Sequence, residues 1–230
     1  MPRIRTESSR LRDPVVEKRF PTLAKGDDLV FVPLGYESGY SYPLLVWLDD
    51  PTSKPLDLGH AMSKVSLRNY LAVQPSACSS GRLPLDPEES VWKAIDDISV
   101  QYNVNAKRIY LVGRGAGGTH AFRIACRHPR TFAGVVSLTG PFPLAESLFA
   151  RLDEVRRLPM LMCCHRDECE AVNNRTDQTL RLFHSAGATL AMRIYPGSNP
   201  LSKIILNDVN RWLMDDICGS PVLPKHSIAR

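Results

Sequence analysis

The chain has 230 residues, 43% of them hydrophobic and 23% charged, with a formal net charge of +5. That length and apolar share fit one globular domain with a substantial core, and no run of about 18 apolar residues is present to span a membrane. Six cysteines in a chain of this size do not make a disulfide scaffold.

Residues 1–25 are predicted to form a basic, flexible leader, in which Arg3, Arg5, Arg10, Arg12, Lys18 and Arg19 outnumber Glu7, Asp13 and Glu17. The leader lacks the apolar stretch of a secretory signal, so a cytoplasmic location is expected. No aromatic residue interleaves its charges before Phe20, so it reads as a solvated arm and nucleic acid is not an expected partner. The globular domain is expected over residues 26–218, with 219–230 as a flexible tail.

The segment 29–34 reads as an early antiparallel strand, followed by a turn rich in glycine, serine and tyrosine. Residues 43–48 are continuously apolar, as a strand covered by helices on both faces requires. The loop 49–55 then lies at the C-terminal end of that strand, the edge where open α/β sheets bind ligands. A short helix over 58–66 and a strand over 69–74 follow, with His60 as a surface or packing residue and Cys78 in the next loop. Nothing near Cys78 in sequence would activate its thiol. Asp86-Pro87-Glu88-Glu89 is a helix start, with Asp86 as cap, Pro87 in the first turn and Glu89 placed to close a capping box. Val91, Ile95, Ile98 and Tyr102 recur at helical spacing and form its core face.

The next stretch organises the rest. Arg108-Ile-Tyr-Leu-Val-Gly113 is a β-prone run that ends at a glycine turn, Arg114-Gly-Ala-Gly-Gly118, and an amphipathic helix leaves it at once with His120 and His128 facing solvent. Two signatures share this geometry. Gly-x-Ser-x-Gly, the nucleophile elbow, aligns on Gly113 and Gly117 and puts Gly115 at the serine position. Gly-x-Gly-x-x-Gly, which cradles a pyrophosphate at a helix N-terminus, is met by Gly113, Gly115 and Gly118. The second signature also wants an acidic residue about 20 positions on to hold a ribose, and that region is Leu138-Thr139-Gly140.

Further on, 132–138 reads as a strand, and 144–157 as a helix that either lids the ligand edge or simply connects. Cys163, Cys164, His165 and Cys169 are metal-capable, but adjacent strand residues point to opposite faces and the spacing fits no zinc pattern, so no metal and no cofactor are expected. A helix over 176–184 ending at Gly187, a strand over 189–195, and a closing helix with Ile204, Ile205, Val209, Trp212 and Leu213 on its apolar face complete the chain.

The phrases Tyr42-Pro-Leu-Leu-Val-Trp-Leu48, Ser66-Leu-Arg-Asn-Tyr-Leu-Ala-Val73, Arg108 to Gly113, Gly117-Gly-Thr-His-Ala-Phe-Arg-Ile-Ala125, Phe132-Ala-Gly-Val-Val-Ser-Leu138, Ser185 to Gly197 and Asp208-Val-Asn-Arg-Trp-Leu213 follow one another in the order found in one superfamily. In these residues the chain resembles the carboxylesterase and phospholipase-like branch of the α/β-hydrolases, over about residues 29–217. The resemblance implies an α/β fold with a mostly parallel central sheet and helices on both faces. It also implies a catalytic serine at Gly115, a histidine at Asn199 in Tyr195-Pro-Gly-Ser-Asn199, and an acid at Asp167 or Glu168. Glycine offers no attacking atom and an amide cannot take a proton near neutral pH. The oxyanion-hole positions fall on Ala116 and on Asp49 and Asp50, where relatives carry His-Gly, and carboxylates there would repel a developing negative charge. A glycine at the elbow also avoids a backbone cost of about 1–3 kcal/mol.

These departures point to a homologue that has lost catalysis and binds an unidentified small ligand or protein partner. An anion would suit Arg114 and Gly117 at the helix N-terminus. The alternatives are an active ester hydrolase that uses Cys164, Ser198 or a water, and nucleotide binding through the glycine pattern.

Overall fold

Apolar runs alternate with amphipathic segments along the chain, and each run becomes a strand that a helix then covers. The computed structural model describes residues 22–25, 28–76, 86–144, 151–166 and 173–219. In chain order the elements are β1 (Thr22–Lys25), β2 (Asp28–Phe31), β3 (Tyr42–Leu48), α1 (Leu58–Val65), β4 (Leu71–Gln74), α2 (Pro87–Ser99) and β5 (Val104–Arg114). They continue with α3 (Ala116–Arg127), β6 (Gly134–Leu138), α4 (Leu152–Val155), β7 (Met160–His165), α5 (Asn173–Ala186), β8 (Leu190–Tyr195) and α6 (Lys203–Ile217).

The strands form one eight-stranded sheet in the order β1-β2-β4-β3-β5-β6-β7-β8. β1 pairs antiparallel with β2, and β2 with β4; from β4 to β8 every pairing is parallel. Parallel neighbours need crossovers, and right-handed crossovers that run in opposite directions along a sheet lie on opposite faces. The chain steps from β3 back to β4 through α1, then forward past β3 to β5 through α2. α1 and α6 therefore cover one face with Leu58, Met62, Leu206 and Val209, while α2, α3 and α5 cover the other with Val91, Ile98, Phe122 and Phe183.

β3 is buried along its whole length. Its Leu44, Val46 and Leu48 pack under α2 and α3, and Leu45 and Trp47 under α1 and α6. Asp86 caps α2 as its sequence predicts, accepting from the Glu88 N–H at 3.1 Å, and Asp57 caps α1, accepting from the His60 N–H at 2.8 Å. Two tyrosine hydroxyls pin α6 to the sheet, Tyr110 to Asp216 at 2.6 Å and Tyr195 to Asp208 at 3.0 Å. No helix among the described residues is long and apolar enough to cross a membrane.

Several expectations need correction. Residues 22–25, assigned to the leader, form edge strand β1, because the open edge of β2 offers its backbone groups a ladder partner. Ile204 is 67% exposed; Leu206, on the buried side of the same helix, takes its place in the core. His128 does not face solvent alone. Its Nε2 lies 2.6 Å from Glu88 Oε1, and its ring meets Trp92 edge-on. Of the segment 144–157 only Leu152–Val155 is helical among the described residues. The expectations for Cys78, Cys169, the rest of the leader and the tail from 220 lie outside the described residues.

Burial works against ionisation of Glu88, but hydrogen bonds from His128 and Arg127 outweigh it and hold the carboxyl below the usual glutamate range. A carboxyl depressed in the folded state stabilises above its unfolded pKa of about 4.3 and loses that contribution as pH falls through the folded value. Glu88→Gln is expected to cost about 1–2 kcal/mol at pH 7, with the gap to the natural protein narrowing as pH falls below the usual glutamate range, as urea unfolding across that range would measure.

Candidate functional site

β3 and β5 run side by side with Leu48 opposite Gly113, so the loop after one and the turn after the other emerge together at the C-terminal edge of the sheet. This is also where the chain reverses direction across the sheet, the topological switch point at which such sheets bind ligands. The turn itself is Gly115, at φ +52° and ψ −124°, a conformation open to glycine and strained for other residues. Its N–H donates to the Leu138 carbonyl at 2.9 Å, which ties the turn to β6, and α3 starts at Ala116.

The neighbouring glycines serve close packing. A Cβ on Gly117 would run into the carbonyl of Leu48, and one on Gly118 into the Ser137 hydroxyl. The Gly118 N–H is bonded to the Gly115 carbonyl at 2.9 Å. The Gly-x-Gly-x-x-Gly pattern thus commits its open faces and two of its N–H groups to the protein interior, which leaves little of the cradle a pyrophosphate would need.

Asp49 and Asp50 follow β3 directly, and each carboxylate is hydrogen-bonded within the chain. Asp49 Oδ1 accepts from Arg114 Nε and from the Asp50 N–H, both at 2.8 Å, and Oδ2 accepts from the Leu56 N–H at 2.8 Å. Arg114 donates with its other arm to the Lys54 carbonyl at 2.6 Å. The anion expected at Arg114 is therefore supplied from within the chain. Asp50 Oδ1 accepts from the Thr52 N–H at 2.9 Å and the Thr52 hydroxyl at 2.7 Å. Its Oδ2 is turned toward Gly115, into the space a Cβ there would occupy. Hydrogen bonds from the Thr52 hydroxyl and N–H hold the Asp50 carboxyl below the usual aspartate range. Of the two carboxylates inferred from Trp47-Leu48-Asp49-Asp50, Asp49 is ion-paired with Arg114, while Asp50 stays ionised in a turn cap beside Gly115.

Beside this junction lies a cleft of about 360 Å³, within the size of small-ligand pockets. Pro51, Pro55, Pro75 and Pro87 form rigid apolar walls, and Asp50, Gln74, Ser90 and His120 bring polar groups to it. The Gln74 Oε1 is buried without a hydrogen-bond partner among the described residues. His120, expected to face solvent, lines this cleft and sits with Nδ1 at 2.8 Å from Arg123 Nη1.

Gly115, Ala116, Arg114, Gly117, Asp49 and Asp50 are thus brought together. Asn199 belongs to the loop after β8, three positions along the sheet from β5. Its side chain is exposed and engaged in a turn, accepting from the Leu201 N–H at 3.0 Å. Asp167 and Glu168 lie outside the described residues. β7 ends instead on His165, 2% exposed and with neither ring nitrogen partnered among the described residues. Cys163 and Cys164 do point to opposite faces, and burial pushes the Cys163 thiol up to about 12. Thr139, just beyond β6, has φ +66°, rare for a β-branched residue. Sequence reasoning missed Gln74, Ser90 and the proline walls, because these come from separate loops and helix starts.

No protein-family model and no curated protein matches the sequence. Among solved structures, a thermostable esterase superposes with a TM-score of 0.62 at 18% identity, over 84% of this chain and 61% of that one. A ferulic acid esterase superposes with a TM-score of 0.62 at 16% identity, over 85% of this chain and 96% of that one. A fungal esterase from Rhizomucor miehei gives a TM-score of 0.63 at 14% identity, over 84% of this chain and 80% of that one. The chain spans about 61% of the length of the thermostable esterase. It has the α/β-hydrolase fold, and the solved structures that share it include esterases.

Arg114 and Asp49 are 11% and 17% exposed, so removing the cation strands a mostly buried carboxylate. Arg114→Ala is expected to cost about 2–4 kcal/mol; Arg114→Lys, which keeps the charge but cannot fork to both Asp49 and the Lys54 carbonyl, should fall between. Urea midpoints of the three proteins check the order.

Proposed function

We propose that this protein is an esterase-like member of the α/β-hydrolase superfamily that does not catalyse hydrolysis and works as a binding protein through the cleft beside Gly115. The observation that carries this reading is the residue at the strand-to-helix turn. Gly115 presents no oxygen, sulfur or amine to a carbonyl carbon, and the Asp50 carboxylate fills the space beside it. Asn199, where the superfamily's base is expected, is an exposed turn residue whose amide accepts a backbone N–H. Triad members act as a unit, and losing nucleophile and base together removes on the order of a million-fold in rate in the best-studied case.

What remains is a cleft with four proline walls and a few polar groups, the composition of a small-ligand site. Its floor carries an ionised carboxylate, while Arg114 is already occupied by Asp49. The ligand this supports is a small, largely apolar molecule with hydrogen-bond donors for Asp50 and the Gln74 Oε1, and not a free anion.

The purified protein is expected to hydrolyse p-nitrophenyl butyrate no faster than buffer and to take no label from a fluorophosphonate. A fragment screen by NMR should give shift changes gathered on Gln74, Ser90 and His120. Ester turnover well above background that Ser198→Ala or Cys164→Ala abolishes would replace this reading with that of a hydrolase using an unusual nucleophile.

A further inference from the structure

The side chain of Asp50 divides its two oxygens between two tasks. Oδ1 is fastened by Thr52, through both its N–H and its hydroxyl, and Oδ2 is held over the turn at Gly115. Were residue 115 to carry a Cβ, that atom would overlap Oδ2 and lie 3.2 Å from both Cβ and Cγ of Asp50. An aspartate tip can ordinarily swing away from such a contact. Here a swing gives up both bonds to Thr52, and the 3.2 Å approaches to Cβ and Cγ involve atoms closer to the backbone, which rotate less. The backbone under Asp50 is also fixed, because its N–H is bonded to Asp49, which Arg114 holds in turn.

We propose that Asp50 is a built-in ligand of the elbow: its carboxylate takes the place of the side chain at residue 115 and makes glycine obligatory there. This rests on the reading of Gly115 as the elbow position, and it adds a second barrier to the missing nucleophile. An elbow that serves catalysis must favour a developing oxyanion; here a carboxylate that is already charged lies against the turn. Residues 50 and 115 therefore form a coupled pair, and a serine at 115 could be seated only after Asp50 is removed. Asp50 acts as a positioning residue in this arrangement and has no role in bond making.

Two measurements on the full chain test it without reference to ester hydrolysis. In the first, Gly115→Ala is made in the natural protein and in an Asp50→Gly background, and thermal midpoints are compared. The positive φ penalises alanine in both backgrounds, whereas the contact with Asp50 exists only in the first, so the loss in the Asp50→Gly background should be less than half as large. A Gly115→Ala protein that folds only with Asp50→Gly supports the proposal equally. In the second, the Ala116 amide is followed by 15N NMR as pH is lowered from 6 to 3. Its resonance should shift with Asp50 protonation in the natural protein and stay in place in Asp50→Asn. If Gly115→Ala folds in neither background, this titration decides alone. Equal losses in both backgrounds, or an Ala116 amide indifferent to Asp50, overturn the proposal while leaving the non-catalytic reading standing. Hydrolysis by the natural protein overturns that reading and leaves the coupling to be judged on these data.

Discussion

The close approach of the end of β3 to the start of α3 is the constraint on which the site depends. The Leu48 carbonyl occupies the space over Gly117, and the β3–β5 register sets Leu48 against Gly113, so strand, turn and helix form one rigid junction. Apolar burial on both sheet faces holds β3 there; every residue from Tyr42 to Leu48 is buried. With the junction fixed, whatever follows Leu48 must lie directly beside the elbow. In this chain two carboxylates follow, and much of the local chemistry serves to accommodate them.

They are accommodated by hydrogen bonds from within the chain, and Asp49 also by an ion pair. Desolvating a carboxylate without a partner is costly, and each of these has found donors within a few residues or across the junction. Asp49 receives a guanidinium and two backbone N–H groups. Asp50 receives Thr52 twice and leans on the turn. The same donors that would serve a bound anion or a transition-state charge are thereby committed to the protein itself. The two carboxylates are, in three dimensions, a hydrogen-bonded structural motif, with the Asp50 Oδ2 in the space a Cβ at residue 115 would occupy.

The architecture around this junction does not by itself decide activity. Superposition on esterases at 14–18% identity establishes the fold, and a fold hosts many functions. In the function proposed above, the deciding features are residues 49, 50, 114, 115 and 199 and the proline-walled cleft beside them.

Much of the architecture was legible from the residues in order. Continuous apolar runs at β3, β5, β6 and β7 can only be strands buried on both faces, and Asp86-Pro87 starts a helix by local hydrogen bonding and ring geometry alone. The glycine at the turn was legible too, since its consequence for nucleophilic chemistry is a property of the residue itself. Periodicity was weaker wherever neighbouring helix positions compete for one face, as with Ile204 and Leu206. Tertiary structure alone decided the pairings: Arg114 with Asp49 across 65 positions of chain, His128 with Glu88 across 40, and Asp50 with Gly115. Charge–charge and van der Waals contacts depend on separation in space, which strand order and register set. A sequence shows which charges exist, and only the folded sheet shows which of them meet.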